Sequence, residues 1–180
     1  MSDYQRVLTA LTEISKNQLD LQLTQSKQPK LFLITNGGVS NVAKTTSDVI
    51  MWNESDIFRN DIVGLVYDAS TGHITLPSDD GYYYRIKLSS FIKRGASHGT
   101  ATAGSVRITL QTPSTNDSSS FVNWDELDVG YVPTSTHTTM RGSWTIGDPL
   151  YVEVVNDIVA SNTGAATFGQ VELLIEQYSI

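Results

Sequence analysis

Cysteine is absent from all 180 residues, so neither a disulfide nor a thiolate metal site can hold this chain together. Its stability has to come from core packing, from association, or from both. Charge is scarce as well: 17% of the residues are charged, and they sum to −7 with a pI near 4.8. No basic stripe interrupts that acidic balance, which argues against a nucleic-acid partner or an anionic membrane surface. No apolar run is long enough to cross a bilayer, and the first residues lack the apolar core of a signal peptide. Release by lysis, as with a virus particle, fits that pattern better than ordinary secretion. Hydrophobic residues make up only 39% of the chain, and Ser, Thr, Asn and Gly fill the gap. That mixture favours an all-β protein with polar turns, in one domain of ordinary size with a small appendage.

Motifs that carry chemistry are equally thin. Gly142-Ser143 and Gly104-Ser105 do not complete a nucleophile elbow, and Gly37-Gly38 lacks the Lys-Ser/Thr of a phosphate loop. His73, His98 and His137 lie far apart in the sequence. Asp79-Asp80 and Asp125-Glu126-Asp128 are acidic turns without the alternating ligand spacing of a calcium loop. The expectation is a protein that is not an enzyme and carries no cofactor or metal.

Periodicity is what the chain does have. Tyr82, Tyr84, Ile86 and Leu88 fall on one face of a strand; Tyr83, Arg85, Lys87 and Ser89 fall on the other. This strand leaves a Ser-Asp-Asp-Gly turn that follows His73–Leu76 and Pro77. Apolar alternation recurs at Val106, Ile108 and Leu110, at Leu150, Val152 and Val154, and at Val171, Leu173 and Ile175. Shorter candidates are Val49–Trp52, Ile62–Tyr67, Asp128–Val132 and Met140–Ile146. Strands this short and numerous, with turns between them, predict a two-sheet antiparallel sandwich or jelly roll. Three polar stretches, Lys93–Gly104, Thr112–Asn123 and Pro133–Thr139, are expected as loops. Trp124, Tyr131, His98 and His137 are their candidate ligand residues.

Ahead of the strands, residues 2–26 predict the one helix. Tyr4, Val7, Leu11, Ile14, Gln18, Leu21 and Gln25 recur at spacings of three and four, a heptad seam with glutamines in two places. An isolated helix of this length is marginal in water, so it needs a partner. Two readings stay open: a helix lying on its own domain or a neighbour, and a short coiled coil at the base of an oligomer. Residues 27–48 are expected as a connecting arm, with Asn36-Gly37-Gly38 as a turn and Leu31–Ile34 pairing with something. The division is 1–26 helix, 27–48 arm, 49–180 jelly roll.

Tyr67 to Phe91, with its Gly-Tyr-x-Tyr strand start, resembles the C1q/TNF-like jelly-roll family. Gly147-Asp148-Pro149 between two late strands and the closing Phe168-Gly169 are similar to that family in the same order. The resemblance implies a mostly β, two-sheet jelly roll that assembles as a compact homotrimer, with distal loops contacting a ligand. Several strands carry apolar residues on both faces, as with Tyr83 and Leu174, so a neighbour must cover the second face. Val7, Leu11, Ile14, Leu21, Tyr83 and Leu174 are therefore the expected oligomer contacts. The functional expectation is a structural bacteriophage protein on the virion surface, a capsid decoration, cement or short head spike. Residues 1–48 would hold it to the major capsid protein or another virion protein. The alternatives are a receptor-binding fibre tip recognising host glycan and a cellular C1q-like ligand-binding module.

Overall fold

The computed structural model describes residues 11–21, 28–43, 46–77, 81–94, 104–113, 118–123, 132–141, 147–157 and 165–180. Residues 11–21 form a helix, α1. The strands are β1 Lys30–Val42, β2 Thr46–Val49, β3 Ile57–Asn60, β4 Val66–Asp68, β5 His73–Thr75, β6 Tyr82–Arg94, β7 Ser105–Gln111, β8 Ser118–Asn123, β9 Val132–Met140, β10 Tyr151–Asn156 and β11 Ala166–Ser179. A 3-10 turn at Glu54–Asp56 leads into β3.

Strand order defines the architecture. One sheet runs β3-β1-β11-β6-β9, the other β2-β10-β7-β8, and β4 pairs with β5 as a separate hairpin. With the hairpin and the edge strand β3 set aside, the first strand of the chain lies beside the last in one sheet. In the other sheet the second strand lies beside the last but one. That nesting of antiparallel strands is a jelly roll. The fold class expected from the sequence is the one observed.

The core lies between the two sheets, and period-two burial builds it. Tyr84, Ile86, Leu88 and Ile92 of β6 face Val106, Ile108 and Leu110 of β7 and Val152 and Val154 of β10, all buried. Two polar side chains in the core each donate a buried hydrogen bond. Gln177 donates to the Tyr84 hydroxyl at 2.8 Å, and Asn156 donates through Nδ2 to the Val42 carbonyl at 2.8 Å. The β4–β5 hairpin is tied to the four-stranded sheet by reciprocal Ile74–Leu150 backbone bonds of 2.8 Å.

Several boundaries differ from expectation. Most of the 27–48 arm is sheet: β1 pairs along β11 and β2 pairs with β10, so the jelly roll begins at Lys30 rather than at residue 49. The partner that Leu31–Ile34 was expected to need is β11 of the same chain. Asn36-Gly37-Gly38 is not a turn but an irregular stretch within β1, with Asn36 in the left-handed region at φ 62°. The reason is Trp52. Its buried indole sits against Gly37, and Nε1 donates to the Val171 carbonyl at 3.0 Å, Val171 being the register partner of Gly37. A β-carbon on Gly37 would lie 2.2 Å from that nitrogen. Only glycine leaves room.

Ile62–Tyr67 is likewise not one strand. Ile62 and Leu65 are buried anchors of a turn closed by Leu65 N–H to the Ile62 carbonyl at 3.2 Å, and only Val66–Asp68 pairs. Val49 ends β2, and Met140 ends β9 rather than opening a strand. Within the expected loops, Ser118–Asn123 and Pro133–Thr139 belong to β8 and β9. Residues 128–131 and 142–146 lie outside the described residues.

The Tyr67 hydroxyl locks the Trp52 segment to β4, accepting from Trp52 N–H and donating to Trp52 C=O, each at 2.8 Å. Burial holds this phenol above its ordinary pKa, so it stays protonated and able to donate. Tyr67→Phe should cost about 1–3 kcal/mol, because a part-buried N–H and C=O lose their partner together. Denaturant titration of the purified protein checks this; an unchanged midpoint would show that water replaces the hydroxyl without loss.

Candidate functional site

Two outward faces of the sandwich contrast in chemistry. On the four-stranded sheet the outward side chains mostly satisfy one another. Thr109 and Ser119 share a hydrogen bond of 3.1 Å, Gln111 donates to Glu153 at 3.0 Å, and Arg107 pairs with Asp157 at 3.6 Å. Tyr151 packs against His73 with ring centroids 5.1 Å apart.

The outward face of the five-stranded sheet is greasier and more cationic. Register places Leu33 of β1, Leu174 of β11, Lys87 of β6 and His137 of β9 in one row across the sheet. Leu31, Glu176, Arg85 and Thr139 form the next row. Beyond it, Tyr178 and Tyr83 stack with centroids 4.9 Å apart and planes 9° from parallel. Arg141 stands 4.6 Å from the Tyr83 centroid, and Arg85 stands 5.1 Å from that of Tyr178. Leu31, Leu33, Leu174, Tyr83 and Tyr178 are half-buried within one chain, and Phe91 at the far end is exposed.

A groove follows β6 and β9 along this face. One section, about 460 Å³, lies among Lys87, Ser89, Ser135, His137, Glu172 and Leu174. A second section of about 450 Å³ adjoins Phe91 and Pro133, and a third of about 350 Å³ adjoins Arg85, Thr138 and Thr139. Lys87 pairs with Glu176 at 3.3 Å.

Of the expected oligomer contacts, Tyr83 and Leu174 lie together on this outward face. Leu11, Ile14 and Leu21 lie on α1, each more than half exposed, and Val7 lies outside the described residues. Among the candidate ligand residues only His137 is described. It sits on the outward face of β9, in a strand rather than in a loop. Trp124, Tyr131 and His98 lie outside the described residues, as do Asp79-Asp80 and the acidic turn at 125–128. His73 and His137 are not brought together, because His73 belongs to the small hairpin. Asp68, on that hairpin, has its carboxyl held below the usual range, chiefly by the Ser70 hydroxyl and then by the Ser70 backbone N–H. Its contacts are those of a turn. Among the described residues no group of three or more His, Asp or Glu could hold a metal ion.

Sequence reasoning missed the cationic half of the face: Arg85 was placed on it, but Arg141 and the stacking partner Tyr178 were not singled out. Continuing the alternation of β11 beyond Glu176 would have placed Tyr178 there.

The fold and this face define a jelly-roll module with one outward sheet surface only partly covered by its own chain. No protein-family model matches the chain, and no curated protein matches it. Among solved structures, the globular domain of zebrafish complement 1qA protein is similar at 12% identity and a TM-score of 0.42, covering 84% of this chain and 97% of that one. At that distance the likeness adds nothing to what strand order already establishes.

Proposed function

We propose that this chain is a non-catalytic structural protein that assembles as a homotrimer through the outward face of the β3-β1-β11-β6-β9 sheet. The observation that carries this reading is the set of half-buried Leu31, Leu33, Leu174, Tyr83 and Tyr178 in three successive rows on that face, opposed by a second sheet whose outward groups mostly pair with one another. Moving such side chains out of water is worth about 1.5–3 kcal/mol each. In a chain without cysteine, a second and third copy are the natural cover, since like copies close into a ring when the contact is rotational.

The jelly roll then projects, and the N-terminal residues anchor. Every described residue of α1 is exposed, Leu11, Ile14 and Leu21 included, so this helix presents an apolar stripe to something outside its own domain. We place the trimer on the surface of a bacteriophage particle, as a capsid decoration, cement or short head spike, held to the major capsid protein or another virion protein. The family resemblance in the sequence and the helix-then-jelly-roll layout support that placement.

Deleting residues 1–27 tests the division, because the cut falls ahead of β1 and spares every paired strand. The expected product keeps a three-subunit mass and loses co-sedimentation with particles lacking the protein. Loss of the trimer would move the oligomer contact into the helix. Undiminished particle binding would remove the anchoring role.

A further inference from the structure

Positive charge gathers at one corner of the outward face, on a chain whose total is −7. Arg85 and Arg141 both lie within 6.0 Å of the Tyr83 ring centroid, and both are exposed. Among the described residues neither has a carboxylate within ion-pair distance. Glu176 is the register partner of Arg85 but pairs with Lys87 at 3.3 Å. The adjoining groove section of about 350 Å³ is lined by Arg85, Lys87, His137, Thr138 and Thr139, with no acidic side chain in its wall among the described residues. Guanidinium, ammonium and hydroxyl groups are hydrogen-bond donors, and the stacked tyrosines hold the guanidinium planes in place from behind.

We infer that this corner binds an oxyanion: a phosphate, a sulfate, or the carboxylate of an acidic saccharide. Two guanidiniums offer forked donors that match such groups, and charge-assisted hydrogen bonds of this kind are among the strong ones. The inference deepens the assembly reading and rests on it in one respect. Covering the face with neighbouring copies takes two guanidiniums per copy away from water, and a cation so removed needs a counter-charge. The bound anion supplies it and makes the assembly anion-dependent.

The test uses the full chain in chloride, in inorganic phosphate, in sulfate and with 3′-sialyllactose, at matched ionic strength. Native mass, melting temperature and binding heat are read in each. The expected result is a rise of about 3 °C or more with at least one oxyanion at saturation. Arg141→Gln and Arg85→Gln, both at exposed positions, should weaken its binding about tenfold or more. A response to phosphate and sulfate alone identifies a simple oxyanion; tighter binding of sialyllactose identifies an acidic saccharide; both support the site. Equal response of the arginine variants and the unsubstituted chain overturns it, because the anion then binds elsewhere. A three-subunit mass with no anion response overturns the site and leaves the assembly standing. A single-subunit mass in every anion, with an arginine-dependent anion response, does the reverse. A single-subunit mass with no response removes both.

Discussion

Gly37→Ala lowers the melting temperature by about 10 °C. The β-carbon would sit 2.2 Å from Trp52 Nε1 and 2.6 Å from Cε2, closer than real contacts allow. Neither partner can yield cheaply. The indole is buried at 3% exposure, and its nitrogen is committed to the Val171 carbonyl. Overpacking costs about 1–3 kcal/mol, and a broken buried hydrogen bond adds about 1–3 kcal/mol when both groups are left without partners. At about 2–4 °C per kcal/mol for a chain of this size, the combined loss gives the stated shift. Differential scanning calorimetry reads it directly. A shift under about 2 °C would mean that β1 relaxes around the new methyl and that Trp52 does not fix the irregular stretch. Gly38→Ala offers a comparison: its β-carbon would meet the Phe168 carbonyl oxygen at 2.8 Å, a milder clash, so a smaller loss is expected.

Leu174→Arg separates the subunits while leaving each one folded. Leu174 points outward from β11, between Leu33 on one side and Lys87 on the other, and contributes nothing to the space between the sheets. Removing its burial from an interface forfeits about 2 kcal/mol per subunit. Three subunits lose about 6 kcal/mol together, or about four orders of magnitude in the association constant, since each 1.4 kcal/mol is a factor of ten. The added guanidinium next to Lys87 makes the loss larger. The expected readout is a native mass of one 19.7 kDa subunit with a far-ultraviolet circular dichroism spectrum unchanged from the parent. Leu174→Met keeps the apolar contact and should keep the three-subunit mass. An Arg variant that still assembles would place the interface on another surface.

How legible the fold was depended on how each strand meets water. β6 and β11 were readable because apolar and polar residues alternate along them, and the predicted faces are the observed ones: Tyr84, Ile86 and Leu88 inward, Tyr83, Arg85 and Lys87 outward. β9 was read as a loop because Thr and Ser dominate it. Yet Thr134 and Thr136 are buried, and threonine's branched β-carbon suits a pleated surface as valine's does. The Ser120–Thr134 hydroxyl contact satisfies one such inward group at the edge where β8 meets β9. Asn36-Gly37 was read as a turn because that pair is a common hairpin signal. What overrode it was a tryptophan fifteen residues further on, whose bulk no local pattern announces. Ile62–Tyr67 failed the other way: an apolar run looked like a strand, whereas Gly64 at φ 85° bends it into a turn with two buried anchors.

The candidate site was half legible. Alternation put Tyr83 and Leu174 on the outward face, which follows from period two alone. The pairing of Tyr83 with Tyr178, 95 residues later, depends on β6 and β11 being neighbours in register. Such long-range pairing is a property of the sheet order, and no local pattern carries it. The three ligand candidates at 98, 124 and 131 sit in segments where the sequence gives composition but no period.

Sedimentation equilibrium of the full chain at micromolar concentration, in phosphate and in sulfate buffer, tests the assembly most directly. A mass three times the 19.7 kDa subunit is the predicted result. A folded protein sedimenting as one subunit would contradict it, and the outward face of the five-stranded sheet would then have to be stable in water as it stands.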